Sequence, residues 1–139
     1  MSSLLYLSRT NGPLDAATID DIALTSSLAN ANIDVTGYLT FGEPNFVQYL
    51  EGSTSAVKSL LDRIRKDQRH EILTVVELGE SGRRFPDWSM QLLDPLWHAS
   101  AGPVQAVFDL LAACTASSPV DQSVVETLRD LVTNISASR

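Results

Sequence analysis

Residues 46–52, Phe46-Val47-Gln48-Tyr49-Leu50-Glu51-Gly52, read as an apolar strand with one polar side chain where a core residue belongs. In a strand alternate side chains share a face, so Gln48 points with Phe46 and Leu50, and Val47 with Tyr49. Both faces therefore carry apolar residues and are at least half buried. A carboxamide removed from water without a partner costs about 1–3 kcal/mol, so something must hydrogen-bond Gln48. Neighbouring backbone is the ordinary answer, because most buried polar side chains are satisfied that way.

The surrounding chain supplies the layers such a strand needs. Residues 3–8 form a short apolar run ending in a turn around Asn11-Gly12-Pro13, with Leu4, Tyr6 and Ser8 on one face. Asp15 or Thr18 caps a helix whose apolar positions Ile19, Ile22, Ala23 and Leu28 recur at helical spacing to about Asn30. Val35–Phe41 and Asn45–Glu51 are the arms of a hairpin closed by Gly42-Glu43-Pro44. Ser53 or Thr54 starts a second helix striped by Val57, Leu60, Leu61 and Ile64, with Arg63, Arg65, Lys66, Arg69 and His70 at its basic exit. Residues 72–78 read as a strand, 79–86 as a polar loop and Trp88–Leu93 as a last strand, on which Trp88, Met90 and Leu92 share a face.

Gly102-Pro103 and Ser118-Pro119 each open a further helix. Val104, Val107, Phe108 and Leu111 stripe the first; Val124, Leu128, Leu131, Val132 and Ile135 stripe the second. Amphipathic helices are stable mainly through packing, so these stripes either cap the open face of the sheet or pair with another subunit, at least a dimer.

The resulting order is βαββαββ, an α+β, ferredoxin-like sheet with two helices on one face, followed by two C-terminal helices. Its expected division is a domain over residues 1–95 and a helical cap over 96–139. With 17 acidic against 10 basic residues, a net charge of −7, a general nucleic-acid surface or an anionic-membrane binder is excluded. The single cysteine, Cys114, forms no internal disulfide, and no apolar run approaches the ~18 residues of a membrane span. With no leader at the N-terminus, a cytoplasmic protein is expected. The chain has no phosphate loop, no metal-spaced ligand cluster and no nucleophile with a legible base. His70 and His98 are its only histidines, and a lone histidine at a helix exit is ordinarily a solvated cap.

Five blocks change that picture when taken together: Leu4–Arg9, Asn30–Gly37, Gln48–Gly52, Asp67–His70 and Arg84–Met90. In this order and spacing they resemble the BLUF family of blue-light sensors that use flavin, over about residues 3–94. The two C-terminal helices resemble those of its short, stand-alone members. The resemblance implies a photoreceptor rather than an enzyme, binding FAD or FMN non-covalently and signalling to a downstream protein.

It also implies roles. The flavin ring would lie between the two helices, at Ile22 and Ile64, which without the resemblance are plain core. Asn30 would offer donor and acceptor together to the ring's polar edge; otherwise it is a C-cap asparagine. Arg63, Asp67, Arg69 and His70 would meet the ribityl-phosphate tail, Arg69 by charge and Asp67 by accepting from hydroxyls. Tyr6 would give up an electron and a proton on illumination. Gln48 would relay the proton and change its tautomer or orientation, leaving a red-shifted absorption. Ser8 would help hold this network. Trp88 and Met90 match a family pair of which one stands beside the glutamine and the other turns outward; their shared strand parity requires a slip or bulge to exchange them. Where several members carry a polar residue before Asn30 this chain has Ala29, which offers the flavin no second hydrogen bond.

Two readings from other classes compete. One is an acylphosphatase-like hydrolase using Arg63 or Arg69, although the chain lacks the glycine loop that cradles a phosphate. The other is an oligomerisation module with an empty flavin slot, which visible absorbance would distinguish.

Overall fold

The computed structural model describes residues 1–12, 15–42, 44–93, 101–116 and 120–137. Expected features at Pro13, Glu43, Pro95, His98, Ser118 and Pro119 lie outside these residues. The elements are β1 (Ser2–Thr10), α1 (Ala16–Asn32), β2 (Thr36–Gly42), β3 (Asn45–Gly52), α2 (Thr54–Arg65), β4 (His70–Glu80), β5 (Gln91–Leu93), α3 (Ala101–Ala116) and α4 (Gln122–Ala137). Strand order is β4-β1-β3-β2-β5. The first four strands pair antiparallel, and β5 joins β2 in parallel.

Strand alternation sorts the side chains into two cores. Leu4, Tyr6, Leu39, Phe46 and Leu50 face α1 and α2, meeting Ala23, Val57 and Leu60. Leu5, Leu7, Tyr38, Val47 and Tyr49 face the other way, onto Val107, Leu111, Leu128 and Ile135. The C-terminal stripes thus cover the second face of the sheet. Of the two alternatives the stripes left open, capping the open face of the sheet is the one this packing shows.

Asp15, rather than Thr18, caps α1, accepting from the Thr18 N–H at 2.8 Å; Ser53 caps α2, accepting from the Ala56 N–H at 3.2 Å. The expected α1 stripe fails at Leu28, which is 63% exposed. Leu28 falls five residues beyond Ala23 and so points away from the sheet, whereas Asn30, seven beyond, returns to the inner face and is buried. The inner face of α1 therefore ends in a polar side chain.

The last strand differs as well. Regular pairing starts only at Gln91, and the Trp88 carbonyl instead accepts from the Gly37 N–H at 2.9 Å. Because residues 88–90 are not an extended strand, period-two parity does not apply to them. The Trp88 ring lies against Phe85, 5.2 Å between centroids, beside the α3–α4 core, while Met90 is buried in the α1–α2 core.

Candidate functional site

Tyr6 on β1 and Gln48 on β3 are directly opposed in register, and Leu39 on β2 opposes Gln48 from the other side. Both polar side chains are buried. The Tyr6 hydroxyl donates to Gln48 Oε1, and Gln48 Nε2 donates to Met90 Sδ at 3.1 Å. Burial, reinforced by the Asp67 charge, pushes the Tyr6 phenol well above the usual range, so it stays protonated as the donor in this pair. A carboxamide nitrogen has two hydrogens, and Gln48 commits one of them to Met90. Trp88 and Ser8 do not reach Gln48.

Above this pair, α1 and α2 enclose a cavity of about 220 Å³ with Leu39 and Phe46 on its floor. Ile22 and Ile64 wall it from the two helices, and Asn30, Arg63, Asp67, Arg69 and His70 also line it. Each of the residues to which the resemblance assigned flavin contact is thus at one cavity. Thr25, Ser26 and Ala29 line it too and were not anticipated in that role, apart from Ala29 as a missing donor. The spacing Ile22, Ser26, Asn30 was a legible signal, since residues four apart share a helix face.

Asn30 supplies the strongest indication of a ligand. Its backbone carbonyl ends α1 by accepting from the Ile33 and Val35 N–H groups. Its side chain is 1% exposed, yet Nδ2 has no hydrogen-bond partner. A buried amide donor left unpaired costs about 1–3 kcal/mol, and a ligand edge carrying carbonyl and imide groups would remove that cost. An apolar slot, a carboxamide on its polar side and a cationic mouth suit a flavin.

The mouth differs from expectation in one respect. Arg69 is occupied: its guanidinium holds both Asp67 oxygens, with the closest contact at 2.6 Å. Arg63 makes no side-chain hydrogen bond or ion pair with other described residues. His70 opens β4 instead of lying free at the helix exit. Its Nε2 is 3.2 Å from the Ile64 carbonyl, which can only accept, so Nε2 carries hydrogen, and Nδ1 lies 2.8 Å from the Ser8 hydroxyl. Ser8 and His70 thereby fix the wall beside Tyr6.

Arg69 also sets an acid response. Its hydrogen bonds hold the Asp67 carboxyl at about 2, below the ordinary 3.8. A depressed carboxyl contributes stability above its unfolded value and loses it as pH falls from about 4 to about 2. The side chains are 30% and 60% exposed, so solvent screening keeps the contribution below about 1 kcal/mol. Denaturation of Asp67→Asn should run slightly below wild type above pH ~4 and converge with it near pH 2; parallel curves throughout would contradict this coupling.

Three comparisons bear on this site. The family model BLUF, described as sensors of blue-light using FAD, matches residues 1–91. Photoactivated adenylate cyclase subunit beta of Euglena longa is 31% identical over 114 residues, 81% of this chain and 13% of that protein. The blue light- and temperature-regulated antirepressor BluF of Escherichia coli (strain K12) is 33% identical over 112 residues, 78% of this chain and 27% of that one. The chain thus spans a small fraction of the length of these relatives. Among solved structures, the dark state of the BLUF protein BlrB superposes with a TM-score of 0.68 at 29% identity, covering 99% of this chain and 96% of that one.

Proposed function

Because the chain belongs to the BLUF family of blue-light sensors using FAD, we propose that Tyr6 and Gln48 form its light-operated switch and that the cavity between α1 and α2 is its flavin site. The observation that carries this is the chain Tyr6 to Gln48 to Met90, buried on the floor of a cavity that also contains the unpaired Asn30 amide. When bound and excited by blue light, a flavin supplies a strong electron acceptor. Tyr6, protonated and hydrogen-bonded to Gln48, gives up an electron and its proton. Gln48 would accept that proton on Oε1 and release one from Nε2 toward the flavin that holds the electron, and the return of both to Tyr6 would leave the amide in another tautomer or orientation. The hydrogen bond it presents to the cavity has then changed, which is the origin of the red shift. Ser8 and His70 keep Tyr6 in place, and Met90 reads the state of the amide.

Ile22 and Ile64 hold the ring, Asn30 its polar edge, and Arg63 is the cation best placed for a phosphate, since Arg69 is already paired with Asp67. The family description favours FAD over FMN, and a mouth open to solvent accommodates the longer tail. No substrate is turned over by these residues; output passes through the C-terminal helices to a partner protein. Among the described residues no helix is long and apolar enough to cross a membrane, and one cysteine suits the cytoplasm.

Purified protein should show a flavin band that moves reversibly to longer wavelength under blue light. A colourless protein that takes up no added flavin would overturn the reading. Asn30→Ala should weaken FAD binding about tenfold, the equivalent of one buried hydrogen bond of ~1.4 kcal/mol, in a fluorescence titration; undiminished affinity would remove Asn30 from the site.

A further inference from the structure

Three residues beyond Gln48 on the same strand, and on the opposite face of the sheet, lies a buried carboxylate that the switch does not use. Glu51 is 1% exposed and accepts four hydrogen bonds: from the Tyr49 hydroxyl and the Arg84 N–H on Oε1, both at 2.8 Å, and from the Thr36 hydroxyl at 2.8 Å and the Phe85 N–H at 2.7 Å on Oε2. Its charge is balanced at one remove. Arg83 donates to Thr36 Oγ1 at 2.8 Å and Arg84 to Tyr49 Oη at 2.9 Å, so two guanidinium groups feed through two hydroxyls into one carboxylate. Burial, then the Glu51 charge, pushes Tyr49 up to about 12, so it remains a donor.

The two amides Glu51 holds begin the segment that delivers Met90. Phe85 is fully buried, Trp88 lies against it, and Met90 reaches Gln48 on the other face. β5 is three residues long and is bound to β2, so it gives this segment little anchorage of its own. From the same junction Arg84 Nε donates to Thr133 Oγ1 on α4 at 3.2 Å. A thioether sulfur accepts a hydrogen bond but has none to give. An amide that turns over at Gln48 would therefore set its oxygen against Met90 Sδ and break that contact.

We propose that Glu51 is a positioning residue that seats residues 84–90 in the dark and that Arg84 carries their displacement to Thr133 on α4. This rests on the reading of Gln48 as the switch. Glu51→Gln keeps the shape but sets an NH₂ group against two donors, and Thr133→Val, at an exposed position, removes the Arg84 link to α4 together with the hydroxyl's own bond to the Arg129 carbonyl one turn back.

The test is hydrogen exchange on the full chain, in the dark and under blue light, with FAD bound, and in the dark without it. Glu51→Gln should speed exchange at Arg84 and Phe85 in the dark, with or without FAD; unchanged protection there overturns the positioning role. In wild type, light should speed exchange in residues 84–90 and in α4. Thr133→Val should keep the red shift and lose the α4 response, and an α4 response of wild-type size overturns the relay. A wild type without a red shift overturns the Gln48 reading and the relay with it, while the dark result at Arg84 and Phe85 still decides the positioning role.

Discussion

Gln48→Leu should retain flavin and lose the light-induced red shift completely. The substitution removes the acceptor for Tyr6 and the donor to Met90 in one step and leaves a side chain of similar bulk between them. Asn30, Ile22 and Ile64, which line the cavity proposed for the flavin, are untouched. The buried Tyr6 hydroxyl then lacks its partner, costing about 1–3 kcal/mol in stability. Tyr6→Phe is the complementary change: it deletes one oxygen, leaves Gln48 in place and should abolish the same shift. Light-minus-dark difference spectra check both, and a shift of normal size in either variant would contradict the switch.

Gly37→Ala should cost about 3 kcal/mol or more, with a fall in Tm of roughly 10 °C. A Cβ at Gly37 would stand 1.8 Å from the Tyr49 carbonyl oxygen and 2.8 Å from its carbon. Both are backbone atoms of β3, held between β1 and β2, and cannot turn aside as a side chain would. The positive φ of 154° at Gly37 adds strain for any side chain. Its N–H also anchors Trp88, so the damage should extend to the Met90 segment. Gly82→Ala, with nothing within 4 Å of its Cβ, is the matched control and should melt like wild type. Equal melting of the two variants would show that β2 and β3 can separate without penalty.

Local pattern carried most of the architecture. Alternation in residues 46–52 announced a strand apolar on both faces, and the α2 stripe at Val57, Leu60 and Ile64 was readable from spacing alone. Asn30 was legible as a cavity-facing residue through the block it belongs to and through its spacing from Ile22, although a polar residue ending a helix is ordinarily a cap. The extent of the last strand was misread: residues 88–93 have strand composition, but the Trp88–Gly37 bond and the Glu51 contacts set the path of the chain there.

The sequence by itself determined the element order, the apolar residues on both faces of the central strand and the family, since these depend on periodicity and on residues a fixed distance apart along the chain. Only the tertiary structure decided that Met90 rather than Trp88 stands beside Gln48, that Arg69 is taken up by Asp67, that the C-terminal stripes cover the sheet and that Glu51 accepts from the Arg84 and Phe85 amides. Each of these depends on which donor meets which acceptor across elements distant in the chain, and residue type alone does not select among partners of equal chemistry.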